Sequence, residues 1–202
     1  MMDADTAEIR VLGCLIEKQR TTPDTYPLTL NALRLACNQA TNRDPVVDYD
    51  EETIRDALQR LWRKEWARLA SGQGSRSVKY RQLVEQTLGL ASDESAVLCV
   101  LMLRGPQTLG ELKQRTDRLH AFDDLDAVEA TLAGLVGREL VVRLERRPGQ
   151  KEERYAQLLG GEVDPASFTH AATAPATGLA ERVAALEAEV ASMRAALTEL
   201  GL

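Results

Sequence analysis

The chain writes one unit twice, and this repetition limits its fold more than any other feature. "VLGCLIEKQRTT" (11–22) aligns with "AVLCVLMLRGPQ" (96–107), setting Cys14 opposite Cys99. "ETIRDALQRLWRKE" (52–65) aligns with "DAVEATLAGLVGRE" (126–139), sharing Leu58/Leu132, Leu61/Leu135 and Glu65/Glu139. "RLASGQGSRSVKYRQL" (68–83) aligns with "RLERRPGQKEERYAQL" (143–158) without a gap, and both end Tyr-x-Gln-Leu. Two copies of about 75 residues imply two domains of one fold. Hydrophobic residues make up 44% of the chain but aromatics only 4%, so each core must be built from Leu, Val, Ala and Ile.

Each copy reads as three helices and a hairpin. In the first, Ile9, Leu12, Leu15 and Ile16 recur at helical spacing. Leu28, Leu30, Leu33, Leu35 and Ala36 mark a second helix, with Pro27 suited to its first turn. Asp48 with Glu51 offers a capping box for the third helix, which starts after Asp48 or Asp50 and buries Ile54, Leu58 and Leu61. "WARLA", a Gly-rich turn and "VKYRQL" then form the hairpin. In the second copy Thr108 with Glu111 is a capping box, and "RPGQ" is the hairpin turn. Three helices followed by a hairpin is the winged-helix order, the third helix serving recognition and the hairpin forming the wing. The expected fold is therefore mainly α with small β-hairpins (α+β), as two tandem winged-helix domains at 1–86 and 87–160.

Residues 161–177 are rich in Ala, Thr, Pro and Gly, and read as a flexible linker. Residues 178–202 carry a heptad seam, with Val183, Val190 and Leu197 at a and Leu179, Leu186, Met193 and Leu200 at d. Arg182 would face Glu187, and Glu189 would face Arg194, in a parallel pair. The seam points to a homodimer, with Val183, Leu186, Val190, Met193 and Leu197 as dimerisation residues. One amphipathic helix folding back on its own domains is the alternative.

"GCLIEKQRTTPDTYPLTLNAL", "CNQATNRDPV", "GSRSVKYRQ" and "LRGPQTLGELKQR" closely resemble the bacterial YceH-like family over residues 6–161. The resemblance implies tandem winged helices, in agreement with the repeat. It implies no activity, substrate or cofactor.

No catalytic constellation assembles. His120 and His170 have no Cys or His at metal-ligand spacing, and "GQGSRS" joins two strands where a phosphate loop would open a helix. Cys14, Cys37 and Cys99 sit among aliphatic residues and read as reduced core thiols. A non-enzyme without metal or cofactor is expected. No apolar run reaches membrane-spanning length and the N-terminus is acidic, so a cytoplasmic protein with no membrane partner is expected.

The net charge of −6 argues against a general polyanion binder, but its distribution is uneven. Residues 1–85 hold 13 basic and 13 acidic side chains, and 86–161 hold 10 and 12. Gln59, Arg60, Arg63, Lys64, Arg76 and Lys79 make a candidate nucleic-acid surface on the third helix and wing of the first domain. Glu52 and Asp56 oppose it, and Asp56 can pair with Arg60. The matching helix of the second copy presents Ala130, Ala133, Gly134 and Gly137, a smooth face expected to pack on the first domain, a dimer mate or a partner protein. "CNQATNRDPV" (37–46) links helices two and three of the first copy. It reads as a structural turn in which Asn38 or Asn42 adopts the left-handed conformation. Asn42 and Arg43 are its candidate contact residues. The chain is thus expected to be a DNA-binding, regulator-like protein; the alternative is a protein-interaction adaptor that does not bind DNA.

Overall fold

The computed structural model describes residues 4–70, 77–146 and 152–161. The two hairpin turns, Arg76, most of the linker and the heptad segment lie outside the described residues. Within them the protein is α+β and mostly helical, with seven α-helices and two small antiparallel sheets.

The doubling is visible element by element. The first half runs α1 (Thr6–Thr21), β1 (Leu28–Thr29), α2 (Leu30–Cys37), α3 (Glu51–Arg63), β2 (Ala67–Leu69) and β3 (Lys79–Gln82). A short α4 (Val84–Leu88) leads into α5 (Ser92–Arg104), α6 (Leu109–Thr116), α7 (Leu125–Gly137), β4 (Val141–Leu144) and β5 (Arg154–Gln157). Both α2 and α6 have 8 residues and start on a Thr cap, Thr29 or Thr108, whose side chain accepts a backbone N–H. Both α3 and α7 have 13 residues. In the first sheet the order is β1-β3-β2, and Leu28 pairs with Tyr80. In the second, Gln107 bridges Tyr155 beside the β4–β5 pair. The two tyrosines are equivalent in the repeat.

The shared glutamates close equivalent helices. Glu65 (φ 59°) and Glu139 (φ 55°) both sit in the left-handed region. Behind each, a backbone N–H reaches back to the helix end: Trp66 to Leu61 O at 2.9 Å, and Leu140 to Leu135 O at 3.0 Å. This is the helix stop that Gly usually fills. A Cβ is costly in that conformation, so Glu139→Gly should stabilise the fold by about 0.5–1 kcal/mol, read as a higher urea midpoint.

The core centres on α1 and α5, the repeated first helices. Val11, Leu12, Cys14, Leu15 and Ile16 are fully buried, and every residue from Ala96 to Leu103 is buried. Helices apolar on nearly all sides belong inside. Gly13 lets them approach closely: a Cβ there would lie 2.9 Å from Leu103 Cδ2. Cys99 donates its thiol hydrogen to Gly13 O at 3.3 Å. All three cysteines are buried and unbridged.

Several sequence expectations shift. Pro27 does not start α2; it follows a cis bond from Tyr26 and precedes β1, because Leu28 and Thr29 join the ladder with β3. Leu28 is therefore a buried strand residue, and Leu35 is 57% exposed. The cap of α3 is Asp50, which accepts from Thr53 N–H at 2.8 Å, whereas Asp48 accepts from Asn38 Nδ2. The expected box of Thr108 and Glu111 is present. Position 86, read as the end of the first domain, falls within α4.

Candidate functional site

The outer face of α3 and the strands beside it form the most distinctive surface. Ile54, Ala57, Leu58 and Leu61 point into the core, which leaves Glu52, Asp56, Gln59 and Arg63 exposed. Two residues expected on the phosphate-reading face turn away from it. Arg60 pairs with Asp5 at 2.7 Å, not with Asp56, and Lys64 pairs with Glu8 at 2.5 Å. The cause is the start of α1. Asp5 and Glu8 form its capping box, and Glu8 is only 1% exposed, so its charge needs cationic partners. Lys79 is half-buried in β3, and Arg76 lies outside the described residues.

An apolar surface replaces the lost positive charge. Trp62 is 63% exposed, with Leu69 at 59% and Val78 at 52%. Trp62 stands between two grooves. One, of about 410 Å³, runs between α3 and the sheet past Arg55, Gln59, Arg68, Leu69 and Tyr80. The other, of about 470 Å³, is bordered by Arg63, Arg68, Leu83 and Gln86. The signal was present in the sequence: Trp62 falls beside Gln59 on the polar side of the α3 wheel.

The 37–46 loop is fixed from below by two arginines. From α1, Arg10 donates to Cys37 O at 3.1 Å and to Pro45 O at 2.6 Å. Arg43, expected as a contact residue, is instead buried. Its Nη1 and Nη2 donate to the two oxygens of Glu17 at 3.1 and 2.6 Å, and its Nε donates to Ala36 O at 3.1 Å. A guanidinium so engaged presents nothing to a partner. Burial alone would lower its pKa, but the hydrogen bonds and charge of Glu17 raise it above its ordinary value. Asn42 does adopt the left-handed conformation (φ 60°), and Asn38 does not (φ −91°). Asn38 instead clamps Tyr49, accepting its N–H at 2.9 Å and donating to its carbonyl at 2.8 Å. The loop also touches α5: Arg104 donates to Asn42 Oδ1, and Asp44 N–H donates to Leu103 O at 2.9 Å.

In the second half, Ala130, Ala133, Gly134 and Gly137 are all exposed on α7. A Cβ at Gly134 or Gly137 would meet nothing within 4 Å. The expected packing of this face on the first half does not occur among the described residues, because α7 turns Val128, Leu132 and Leu135 inward and leaves the small residues outermost. Val183, Leu186, Val190, Met193 and Leu197 lie outside the described residues. Among the described residues, no cluster of His, Cys, Asp and Glu is placed to hold a metal ion. No helix there is long and apolar enough to cross a membrane.

Fold and surface define an α+β protein of doubled build, whose most distinctive exposed feature is the tryptophan on its third helix. Residues 4–150 match the family described as "Protein of unknown function, DUF480", and the chain belongs to that family. It is 50% identical over 200 residues to a UPF0502 protein of Solibacter usitatus, covering 96% of this chain and 95% of that one. A UPF0502 protein of Pelobacter propionicus is also 50% identical, over 96% and 91% of the two chains. UPF0502 protein YceH of Salmonella newport is 45% identical over 96% and 94%. The YceH-like resemblance read from the motifs therefore holds.

Proposed function

We propose that the chain is a non-enzymatic recognition protein of two winged-helix units, and that its first unit binds a partner protein through the grooves flanking Trp62. Helix, helix, helix and paired strands recur in both halves, which supports the winged-helix reading. The observation that carries the binding reading is Trp62, a large aromatic left 63% exposed on the face where a nucleic-acid reader would carry polar side chains. Arg55, Arg63 and Arg68 share the groove walls with Asp56 and Glu65, so the favoured occupant is an apolar segment with mixed polar neighbours. The heptad seam at 178–202 supports a parallel dimer that would present two such surfaces.

DNA binding is the second reading, favoured by Gln59 and Arg63, which lie one turn apart and exposed on α3 with Arg68 nearby. One experiment separates the two. Nuclease-treated extract is passed over wild-type protein and over Trp62→Ala, while duplex DNA is titrated at low and high salt. The protein reading expects a retained partner that Trp62→Ala loses, with affinity reduced about thirtyfold or more, and no DNA binding at low salt. Salt-sensitive DNA binding that survives Trp62→Ala but falls with Arg63→Glu would overturn it.

A further inference from the structure

Two of the sequence stretches that carry the family resemblance, "CNQATNRDPV" and "LRGPQTLGELKQR", meet around one cavity. It measures about 410 Å³ and lies between α1, the 37–46 loop, α5 and α6. Val100, Leu103 and Leu119 give it an apolar wall. Arg104, Arg115 and Arg118 line it from α5, from α6 and from the turn that follows.

The charges there do not balance. Glu17 is on the wall, but Arg43 holds it at 2.6 Å and Lys18 at 3.4 Å. Arg115 pairs with Glu111 at 3.4 Å, a carboxylate that also serves Arg154 at 2.9 Å. Among the described residues, neither Arg104 nor Arg118 lies within ion-pairing distance of a carboxylate. Asp117, exposed on the rim, is the remaining acid of the lining. Burial, then the like charges of Arg115 and Arg43, outweigh the acids Asp44 and Glu17 and hold the Arg104 guanidinium below its ordinary pKa. Its direction is set in advance, because it donates to Asn42 Oδ1 while Arg43 holds Asn42 O at 2.9 Å.

We propose that this cavity binds a small phosphate monoester, its phosphate on Arg104 and Arg118 and its organic group against Val100, Leu103 and Leu119. Guanidinium forks match phosphate oxygens, and among the described residues Arg104 and Arg118 keep theirs outside ion pairs while Arg115 is held by Glu111. The volume lies in the range of small-ligand sites and excludes a duplex. The site shares no lining residue with the grooves beside Trp62, so it stands apart from the proposed protein surface.

The test is calorimetric titration of the full chain at low ionic strength with adenosine monophosphate and with inorganic phosphate. The nucleotide should bind saturably, about tenfold or more tighter than free phosphate, since only it reaches the apolar wall. Arg118→Ala and Arg104→Gln should each weaken it about tenfold or more. Arg118 is exposed and its replacement keeps the fold, so it decides the matter should Arg104→Gln, which also releases Asn42, unfold the protein. Failure of both probes to bind would overturn the site, as would binding unchanged in Arg118→Ala. Equal affinity for the two probes would overturn the ester and its apolar contact.

Discussion

Arg43→Ala should cost roughly 3–5 kcal/mol of folding stability, read as a lower urea midpoint with the m-value kept. That is a large share of what a domain of this size holds in reserve. The mechanism is the stranding of a charge. Arg43's side chain is 0% exposed and that of Glu17 10%, so neither ion can turn to water when the other is lost. Without the guanidinium, Glu17 keeps only Lys18 at 3.4 Å, and Ala36 O loses its Arg43 donor. Arg43→Lys should recover little, because an ammonium cannot reproduce the two-pronged contact. Replacing both ions by Met should cost less than either single change, since no charge is then left unpaired.

The same pair sets a pH dependence. Burial pushes the Glu17 carboxyl up, but the hydrogen bonds and charge of Arg43, with the charge of Lys18, outweigh it and hold the pKa below its ordinary 4.5. A carboxyl depressed in the folded state stabilises the fold above its unfolded pKa, and that contribution is lost as pH falls through the folded value. Arg43→Ala leaves burial in command and reverses the shift. The stability gap between wild type and variant should therefore narrow as pH falls below about 5. A gap independent of pH would show that Glu17 is not the group left stranded.

Periodicity made the helices and their doubling legible, because apolar spacing depends on neighbours along the chain. Ile54, Leu58 and Leu61 on α3, and Val128, Leu132 and Leu135 on α7, are buried as their spacing predicts. Charges were not legible in this way. Glu8, Arg10 and Glu17 fall outside the apolar spacing of the first helix, yet all three are buried. Their partners are fixed by tertiary packing: Lys64 for Glu8, the loop carbonyls for Arg10, and Arg43 for Glu17. Once Glu8 had drawn in Arg60 and Lys64, the basic patch inferred on α3 was smaller than its composition suggested. Elements of two residues (β1) and five (α4) carry too few positions to show a period at all. Trp62 was visible, but the sequence could not say that packing leaves it 63% exposed.

Gly13→Leu should destabilise the protein by about 1–3 kcal/mol, although the change improves intrinsic helix propensity. Glycine in a helix interior costs up to about 1 kcal/mol relative to Ala, so α1 retains it against its own local preference. The reason lies across the interface. A Cβ at position 13 would stand 3.0 Å from Leu103 Cγ and 3.1 Å from Met102 Cβ on α5. Gly13→Ala should cost less than Leu, because the tip of Leu103 can yield and the helix gains propensity, while Met102 Cβ, next to the backbone, cannot. Leu has no such outlet: Cys99, Met102 and Leu103 are all buried around it. Its side chain must push α1 and α5 apart, weakening the thiol contact at Gly13 O and the joint between the two repeats. Hydrogen exchange should then quicken in α5 before it does in β4 and β5, which pair with each other and not with α1. Gly137→Ala is the control, since a Cβ there meets nothing within 4 Å and only propensity changes. A Gly13→Leu protein as stable as wild type would mean that α1 and α5 do not meet at this glycine, and the doubled core would need another joint.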